Sequence, residues 1–370
     1  MARYIHELPN WPNFSFDEAI IAERLPAVSR KQGRLLGRME SLGFELQQEA
    51  ELYTLTEDVL RTSEIEGEIL DKQQVRSSIA RHLGMDIPGL IKADHAVEGV
   101  VEMMLDATRH FDKPLTSERL HSWHAALFPT GRSGMSQISV GDWRKTEAGP
   151  MQVVSGPIGR ETIHFEAPDA GRLPQEMARF LEWFEAPFKG DLNLKAGIAH
   201  LWFVTIHPFE DGNGRTARAL TDMLLARAEG NPHRFYSMSA EIQRQHKSYY
   251  DILEKTQKGN LNITPWLVWF LEALEGAIDG AEIITGKVMA KAKFWSCNVA
   301  QNFNARQQKM LNRLLDGFEG KLTSSKWAKI CKCSQDTATR DINDLIEKGV
   351  LEKEPGGGRS TTYTLVTVVL

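Results

Sequence analysis

Residues 207–218 read HPFEDGNGRTAR: a histidine, two carboxylates, two glycines one residue apart and two arginines in a single short stretch. Gly212 and Gly214 are free to take positive φ and Asn213 tolerates it, so EDGNG reads as a tight turn. RTARALTDMLLARAEG follows with helical spacing. The turn therefore delivers successive backbone N–H groups to a helix N-terminus, an anion nest strengthened by the helix dipole. Arg215 and Arg218 lie three apart and share one face of the first turn. Two fixed guanidiniums beside a nest suit a polyphosphate better than a single carboxylate. Asp211 is placed to hold a Mg2+ that bridges phosphates. His207, titrating near neutrality, is suited to take the proton of an attacking hydroxyl. Cradle, metal carboxylate and base together point to nucleotidyl or phosphoryl transfer from a nucleotide to a hydroxyl.

These residues need rigid elements behind them. NLKAGIAHLWFVTIHPFE is apolar nearly all round and predicts a buried helix that runs up to His207, where Pro208 ends it. Most of residues 16–285 repeats apolar residues at three and four, as in AVEGVVEMMLDATRHF, so the chain is mainly α. MQVVSGPIGRETIHFEAP, residues 151–168, breaks that pattern and predicts a β-hairpin. A lone hairpin is marginal, so it is expected to pack on the helices as a flap. Beyond residue 300 come three helical segments, then strand, Gly-rich turn and strand, the order of a winged helix-turn-helix. The organisation expected is an N-terminal helical region over 1–100, a helical catalytic domain with the flap over 101–285, and a winged helix over 300–370.

Composition bounds the function class. The chain has 370 residues, 42% hydrophobic and 25% charged, with a net charge of −5, which argues against a whole-chain nucleic-acid or anionic-membrane binder. Residues 301–370 carry 11 Lys/Arg against 8 Asp/Glu. That asymmetry has the sign DNA binding needs but is small, and winged helices also serve as protein-interaction modules. No apolar stretch is long enough to span a bilayer, and the first residues have no apolar leader, so no membrane contact and a cytoplasmic location are expected. The three cysteines have no disulfide-like framework, and the CKC pair lacks further ligands at metal spacing.

The 207–218 segment resembles the signature of the Fic family, His-x-Phe-x-Asp/Glu-Gly-Asn-Gly-Arg-x-x-Arg, at every defined position, and the likeness extends over about residues 50–275. The resemblance implies a protein adenylyltransferase that moves AMP from ATP to a protein Ser, Thr or Tyr hydroxyl. It implies His207 as general base and Asp211 as the Mg2+ carboxylate. Gly212, Asn213 and Gly214 would cradle phosphates, Arg215 would hold the α/β-phosphates and Arg218 the γ-phosphate, with Thr216 and Ala217 in the same nucleotide-binding turn. Phe209 would anchor the loop. The hairpin matches the family's flap, which holds a target segment by main-chain pairing, with Val154, Ser155 and Gly156 at its tip. SYYDILEKTQKGNLNITPW resembles the base-pocket stretch, where Tyr249, Tyr250 and Gln257 would line the base. Gln257 stands where the family pattern has Asn. The N-terminal stretch HELPNWPNFSFDEAI resembles an extension found in a bacterial Fic subgroup, with Trp11 and Phe14 read as core residues.

TSEIEGEIL, residues 62–70, resembles the family's inhibitory motif, Ser/Thr-x-x-x-Glu-Gly/Asn. Thr62 and Glu66 lie on one helix face and Gly67 follows. In that likeness a bidentate Glu66–Arg218 pair occupies the arginine that the γ-phosphate needs, so the chain is autoinhibited. Removal of AMP, with the glutamate aligning a water, is open to the same site. So is a different donor, such as UMP or a phosphoryl group, although an intact Arg218 favours a triphosphate. A reading of another class remains beside these: a DNA-binding regulator whose Fic body senses nucleotide. Partners expected are ATP, a target protein, the chain itself, DNA through the winged helix, and a second copy in a homodimer.

Overall fold

The structure, a computed structural model, describes residues 3–146, 149–156, 160, 162–318, 320–354 and 361–366. The flap residues 157–159 and 161 and the wing residues 355–360 of the expected hairpins lie outside the described residues. The helices are α1 (Glu18–Glu40), α2 (Phe44–Ile65), α3 (Lys72–His82), α4 (His95–Arg109), α5 (Ser117–Leu127), α6 (Leu173–Glu185), α7 (Leu192–Ile206), α8 (Asn213–Glu229), α9 (Met238–Arg244), α10 (His246–Gln257), α11 (Thr264–Cys297), α12 (Ala305–Leu315), α13 (Ser324–Cys331) and α14 (Gln335–Glu347). Among the described residues six short strands pair as antiparallel hairpins: β1 (Arg132–Ser133) with β2 (Ser136–Gln137), β3 (Gln152–Ser155) with β4 (Thr162–Glu166), and β5 (Leu351–Lys353) with β6 (Tyr363–Leu365). The expected mainly helical class is what forms.

The described chain divides into two compact units. One takes in the residues up to Met85 together with Ile91–Glu282; the other takes in Asp86–Leu90 and the residues from Ile283 on. In the first unit the N-terminal helices pack directly on the catalytic helices: α2 meets α9 and α8, and α4 meets α8. At its centre α7 is buried on every face from Asn193 to Ile206, as its unbroken apolar sequence requires. Gly197 lets Phe270 approach so closely that a Cβ there would sit 2.9 Å from the ring, and its carbonyl accepts from Trp266 Nε1 at 2.8 Å. Caps fix the helix starts: Asp17, Asp71, Asp94, Thr116 and Asp191 each accept backbone N–H groups of the first turn. Trp11 is buried, donates to Glu176 at 2.9 Å and meets Trp202 edge-on, and Phe14 packs against both indoles.

The second unit builds its own core from Met310, Leu311, Trp327, Ile342 and Leu345, with Leu351 and Tyr363 from the paired strands. Asn304 and Gln307 form a capping box at the start of α12, and Ser334 caps α14. Lys332 takes the left-handed conformation between α13 and α14, which makes the sharp turn of the helix-turn-helix.

Candidate active site

The site begins where α7 stops. His207 caps α7 in the left-handed region, φ 52° and ψ 59°, and its N–H still bonds to Phe203 O at 2.9 Å. A bulky residue there costs on the order of 1–3 kcal/mol and persists only when its surroundings over-determine it. Arg144 supplies that constraint. The buried guanidinium donates from Nε to His207 O at 2.7 Å and from Nη2 to Pro168 O at 2.5 Å, while Arg144 N donates to Pro208 O at 2.9 Å. Nothing in the sequence around Arg144 signalled this role.

The following loop is closed by its own side chains. Asn213 Oδ1 accepts from Phe209 N at 2.9 Å and its Nδ2 donates to Phe209 O at 2.8 Å. The Asn213 amide thus braces the loop. Phe209 is fully buried and stacks parallel on His124 at 4.2 Å, the anchoring expected of it. Burial pushes His124 down to about 4, so it stays neutral beneath the loop. Gly212 has φ +80° as predicted. Gly214 does not take positive φ; it sits in the first turn of α8 and is needed for close approach, since a Cβ would lie 2.0 Å from Glu66 Oε1. Thr216 donates to Gly212 O at 2.9 Å, and Thr216 and Ala217 are both fully buried.

His207 Nδ1 lies 3.1 Å from Val204 O. A carbonyl only accepts, so Nδ1 carries the proton and Nε2 keeps its lone pair, the form a general base needs. Burial holds the imidazole below its ordinary value, partly offset by that bond. Asp211 accepts from Gly212 N at 2.5 Å and from the Ser133 hydroxyl. Among the described residues no group of three or more His, Cys, Asp or Glu side chains could hold a metal alone. An ion held at Asp211 would take most of its oxygen ligands from phosphates.

The two arginines point into the protein and are already paired. Arg218, 1% exposed, donates from Nε to Thr62 Oγ1 at 2.6 Å and from Nη2 to Thr62 O at 2.8 Å and Glu66 Oε1 at 2.7 Å. The Glu66 contact runs through one carboxylate oxygen and Nη2 alone, not the bidentate fork expected. Arg215 Nη1 donates to Glu68 Oε2 at 2.8 Å, a pairing the sequence reading missed. A second glutamate two residues past Glu66 was the available signal. Arg218 Nη1 and Arg215 Nε are buried donors with no partner among the described residues. The site thus holds unused cationic N–H groups, which is what a phosphate would satisfy.

Beside Gly214 and His207 lies a cavity of about 770 Å3, in the range of small-molecule sites. It is lined by Glu66, Gly67, His207 and Gly214, by the flap residues Val154 and Ser155, and by Tyr249, Tyr250 and Gln257 of α10. Gly156 adjoins Ser155 at the flap end, with φ 104°. Tyr249 is nearly fully buried, with its hydroxyl 2.9 Å from His200 Nε2; Tyr250 is more open; Gln257 Nε2 donates to Thr205 Oγ1 at 3.3 Å. The tertiary structure therefore brings the motif, the 62–67 segment, the flap and the base-pocket stretch to one cavity.

Comparisons with known proteins match three stretches of the chain. Residues 4–85 match a domain of unknown function (DUF4172), residues 114–225 match the Fic/DOC family, and residues 306–364 match the DeoR-like helix-turn-helix domain. The protein adenylyltransferase Fic of Culex quinquefasciatus is 37% identical over 115 residues, 30% of this chain and 21% of that protein. The protein adenylyltransferase fic-1 of Caenorhabditis briggsae is 28% identical over 235 residues, 61% of this chain and 44% of that protein. The chain spans about a fifth to under a half of these curated relatives. The fold is shared with a Fic family protein of Desulfovibrio desulfuricans G20, at a TM-score of 0.52 and 20% identity over 97% of this chain and 99% of that one. The chain thus carries a Fic/DOC domain, preceded by a DUF4172 region and followed by a DeoR-like helix-turn-helix.

Proposed function

We infer that this protein is a protein adenylyltransferase that moves AMP from ATP to a protein hydroxyl and is held back by its own N-terminal segment. The observation that carries the reading is a cavity lined by His207, whose Nε2 keeps its lone pair, and by Gly214 of the first turn of α8, the helix that also carries the buried Arg215 and Arg218. His207 Nε2 takes the proton of the incoming hydroxyl. The N–H groups of the α8 N-terminus and the unused donors of Arg215 and Arg218 hold phosphates. Mg2+ bound at Asp211 would screen the phosphate charge. Arg218 is the γ-phosphate arginine, and Glu66 competes with that phosphate for it. Glu68 competes in the same way for Arg215, so the brake has two carboxylates. The same cavity, with Glu66 orienting a water, also suits the reverse removal of AMP.

The test is labelled ATP with Mg2+, soluble cell extract and three proteins: the natural chain, Glu66→Gly, and Glu66→Gly with His207→Ala. Glu66→Gly is expected to label protein above the natural chain, and the added His207→Ala to suppress labelling of the extract proteins. Labelled UTP and GTP in parallel identify the donor. An unlabelled reaction for Glu66→Gly with every nucleotide sinks the transferase reading.

The DeoR-like match supports a second role, DNA binding, for the C-terminal unit. Lys326, Lys329, Lys332 and Arg340 are all exposed on α13, the turn and α14. A gel shift of the full chain that weakens with salt is expected; no shift at low salt removes this role.

A further inference from the structure

The flap carries a side-chain relay that the transfer reading does not use. Ser155 Oγ, at the end of β3, lies 2.6 Å from His164 Nε2 on β4, and His164 Nδ1 lies 2.7 Å from Glu254 Oε2 on α10. Glu254 remains a carboxylate, because bonds from Lys258 and then His164 hold its pKa below the usual carboxylate range. A carboxylate only accepts, so His164 carries its proton on Nδ1 and donates it to Glu254. Nε2 is then the acceptor for the Ser155 hydroxyl. Hydroxyl, imidazole and carboxylate follow one another in the order and at the distances that activate a serine nucleophile, a constellation recognised by geometry, not by sequence position.

Backbone geometry supports the same conclusion. The strand register passes from Val153↔Phe165 to Val154↔Ile163 and skips His164. His164 is the extra residue of a β-bulge, a device that re-aims one side chain out of the regular alternation. Here the bulge aims it at Ser155. Ser155 is exposed, and His164 and Glu254 are half-buried, so an electrophile has access. All three line the cavity that also holds His207 and Gly214.

We propose that Ser155 is a nucleophile and a self-modification site, the acceptor within this chain of the nucleotidyl group handled in that cavity. Ser155 Oγ bonds to the α-phosphorus of the nucleoside triphosphate. The bond from that phosphorus to the α,β-bridging oxygen breaks, pyrophosphate leaves with the electron pair, and the hydroxyl proton passes to His164 Nε2. The inference rests on the transferase reading for its donor. The activated serine itself does not.

The experiment uses the full-length chain in two arms. In the first, Glu66→Gly is incubated with ATP and Mg2+ and its peptides are mapped by mass. AMP is expected on Ser155, absent after Ser155→Ala and at least tenfold slower after His164→Gln, a change that keeps side-chain volume and hydrogen bonding but removes the base. Because His164 supplies the base, this modification persists in the Glu66→Gly, His207→Ala double variant. In the second arm a fluorophosphonate probe is added without nucleotide, and Ser155 is expected to be labelled in a His164-dependent way. AMP on other residues with Ser155 bare overturns the proposal and leaves the transferase reading standing. AMP nowhere overturns the transferase reading, and the absence of fluorophosphonate on Ser155 then overturns the nucleophile as well. Labelling of equal rate in His164→Gln overturns the relay. A melting curve matching the parent verifies that each variant is folded.

Discussion

Residues 207–218 and residues 62–68 meet at Arg215 and Arg218 of the first segment, and the two segments are held in place by different means. The first segment closes on itself: Asn213 bonds both backbone groups of Phe209, Thr216 bonds Gly212 O, and Phe209 is stacked beneath the loop. The second reaches the first through one donor of Arg215 and two of Arg218. Glu66 is the residue where α2 ends, Gly67 turns away at φ +80°, both are exposed, and Glu68 is half-buried. Helix ends open at less cost than cores. A catalytic loop that is over-determined and a brake that hangs on four bonds can therefore be altered independently. The brake is the part a target or a ligand could displace.

The largest effect tests the catalytic side of that comparison. His207→Ala in the Glu66→Gly background is expected to lower transfer to added protein by about 10²–10⁴-fold, the usual contribution of a positioned base. Circular dichroism should be unchanged, since the loop bonds do not pass through the imidazole. Glu66→Gly tests the other side. A hydrogen bond to a charged group is worth about 1.5–3 kcal/mol, so releasing Arg218 should raise transfer roughly 10- to 100-fold. Its melting temperature should fall by a few degrees without loss of the folded state, since Arg218 loses one partner and keeps both Thr62 bonds. If Glu66→Gly unfolds the protein, the two segments are not independent and the comparison breaks.

Glu68→Ala sharpens the brake. Glu68 is 40% exposed on its side chain, against 28% for Glu66, so its ion pair is the better screened of the two. A smaller gain is expected, a few-fold in ATP affinity by titration calorimetry, additive with Glu66→Gly if the carboxylates act on separate arginines. Equal affinity in Glu68→Ala and the natural chain would assign Glu68 to the surface only.

A pH profile separates burial from charge. Desolvation lowers the His207 pKa below its ordinary 6.5, and Glu66 is among the groups that raise it. The base must be neutral, so transfer is full above the folded pKa and lost as pH falls through it. The acid limb of Glu66→Gly should therefore lie below pH 6.5, because the substitution also removes a carboxylate that favoured the protonated form. A limb above 6.5 would place a different base in the reaction. The last prediction concerns stability. Arg144→Leu strands the carbonyls of His207 and Pro168, at a cost on the order of 1–3 kcal/mol each. The midpoint of urea unfolding should fall measurably, with transfer reduced through the displaced His207.

Local chemistry was readable before any coordinates. The helix α7, its stop at His207, the glycine turn, the helix α8 and the β3–β4 and β5–β6 hairpins, though not β1–β2, follow from spacing and turn residues between near neighbours, where the chain itself sets the distance. The helix-turn-helix was readable for the same reason. Single-residue conformations were less so: Gly214 was expected to share the positive φ of Gly212, yet the helix begins one residue earlier and its missing Cβ instead admits Glu66.

What the sequence determined by itself is the set of reacting groups and the elements that carry them: His207, Asp211, Arg215 and Arg218 around one turn, within a mainly helical chain that ends in a winged helix. Tertiary structure alone decided which distant groups meet them. Arg144 reaching the His207 carbonyl, Glu68 reaching Arg215 and the placing of His164 between Glu254 and Ser155 depend on long-range packing. Hydrogen-bonding side chains are common and interchangeable along a sequence. Only the packed core, by fixing helix ends and strand register to within an ångström or so, selects which of them come within bonding distance.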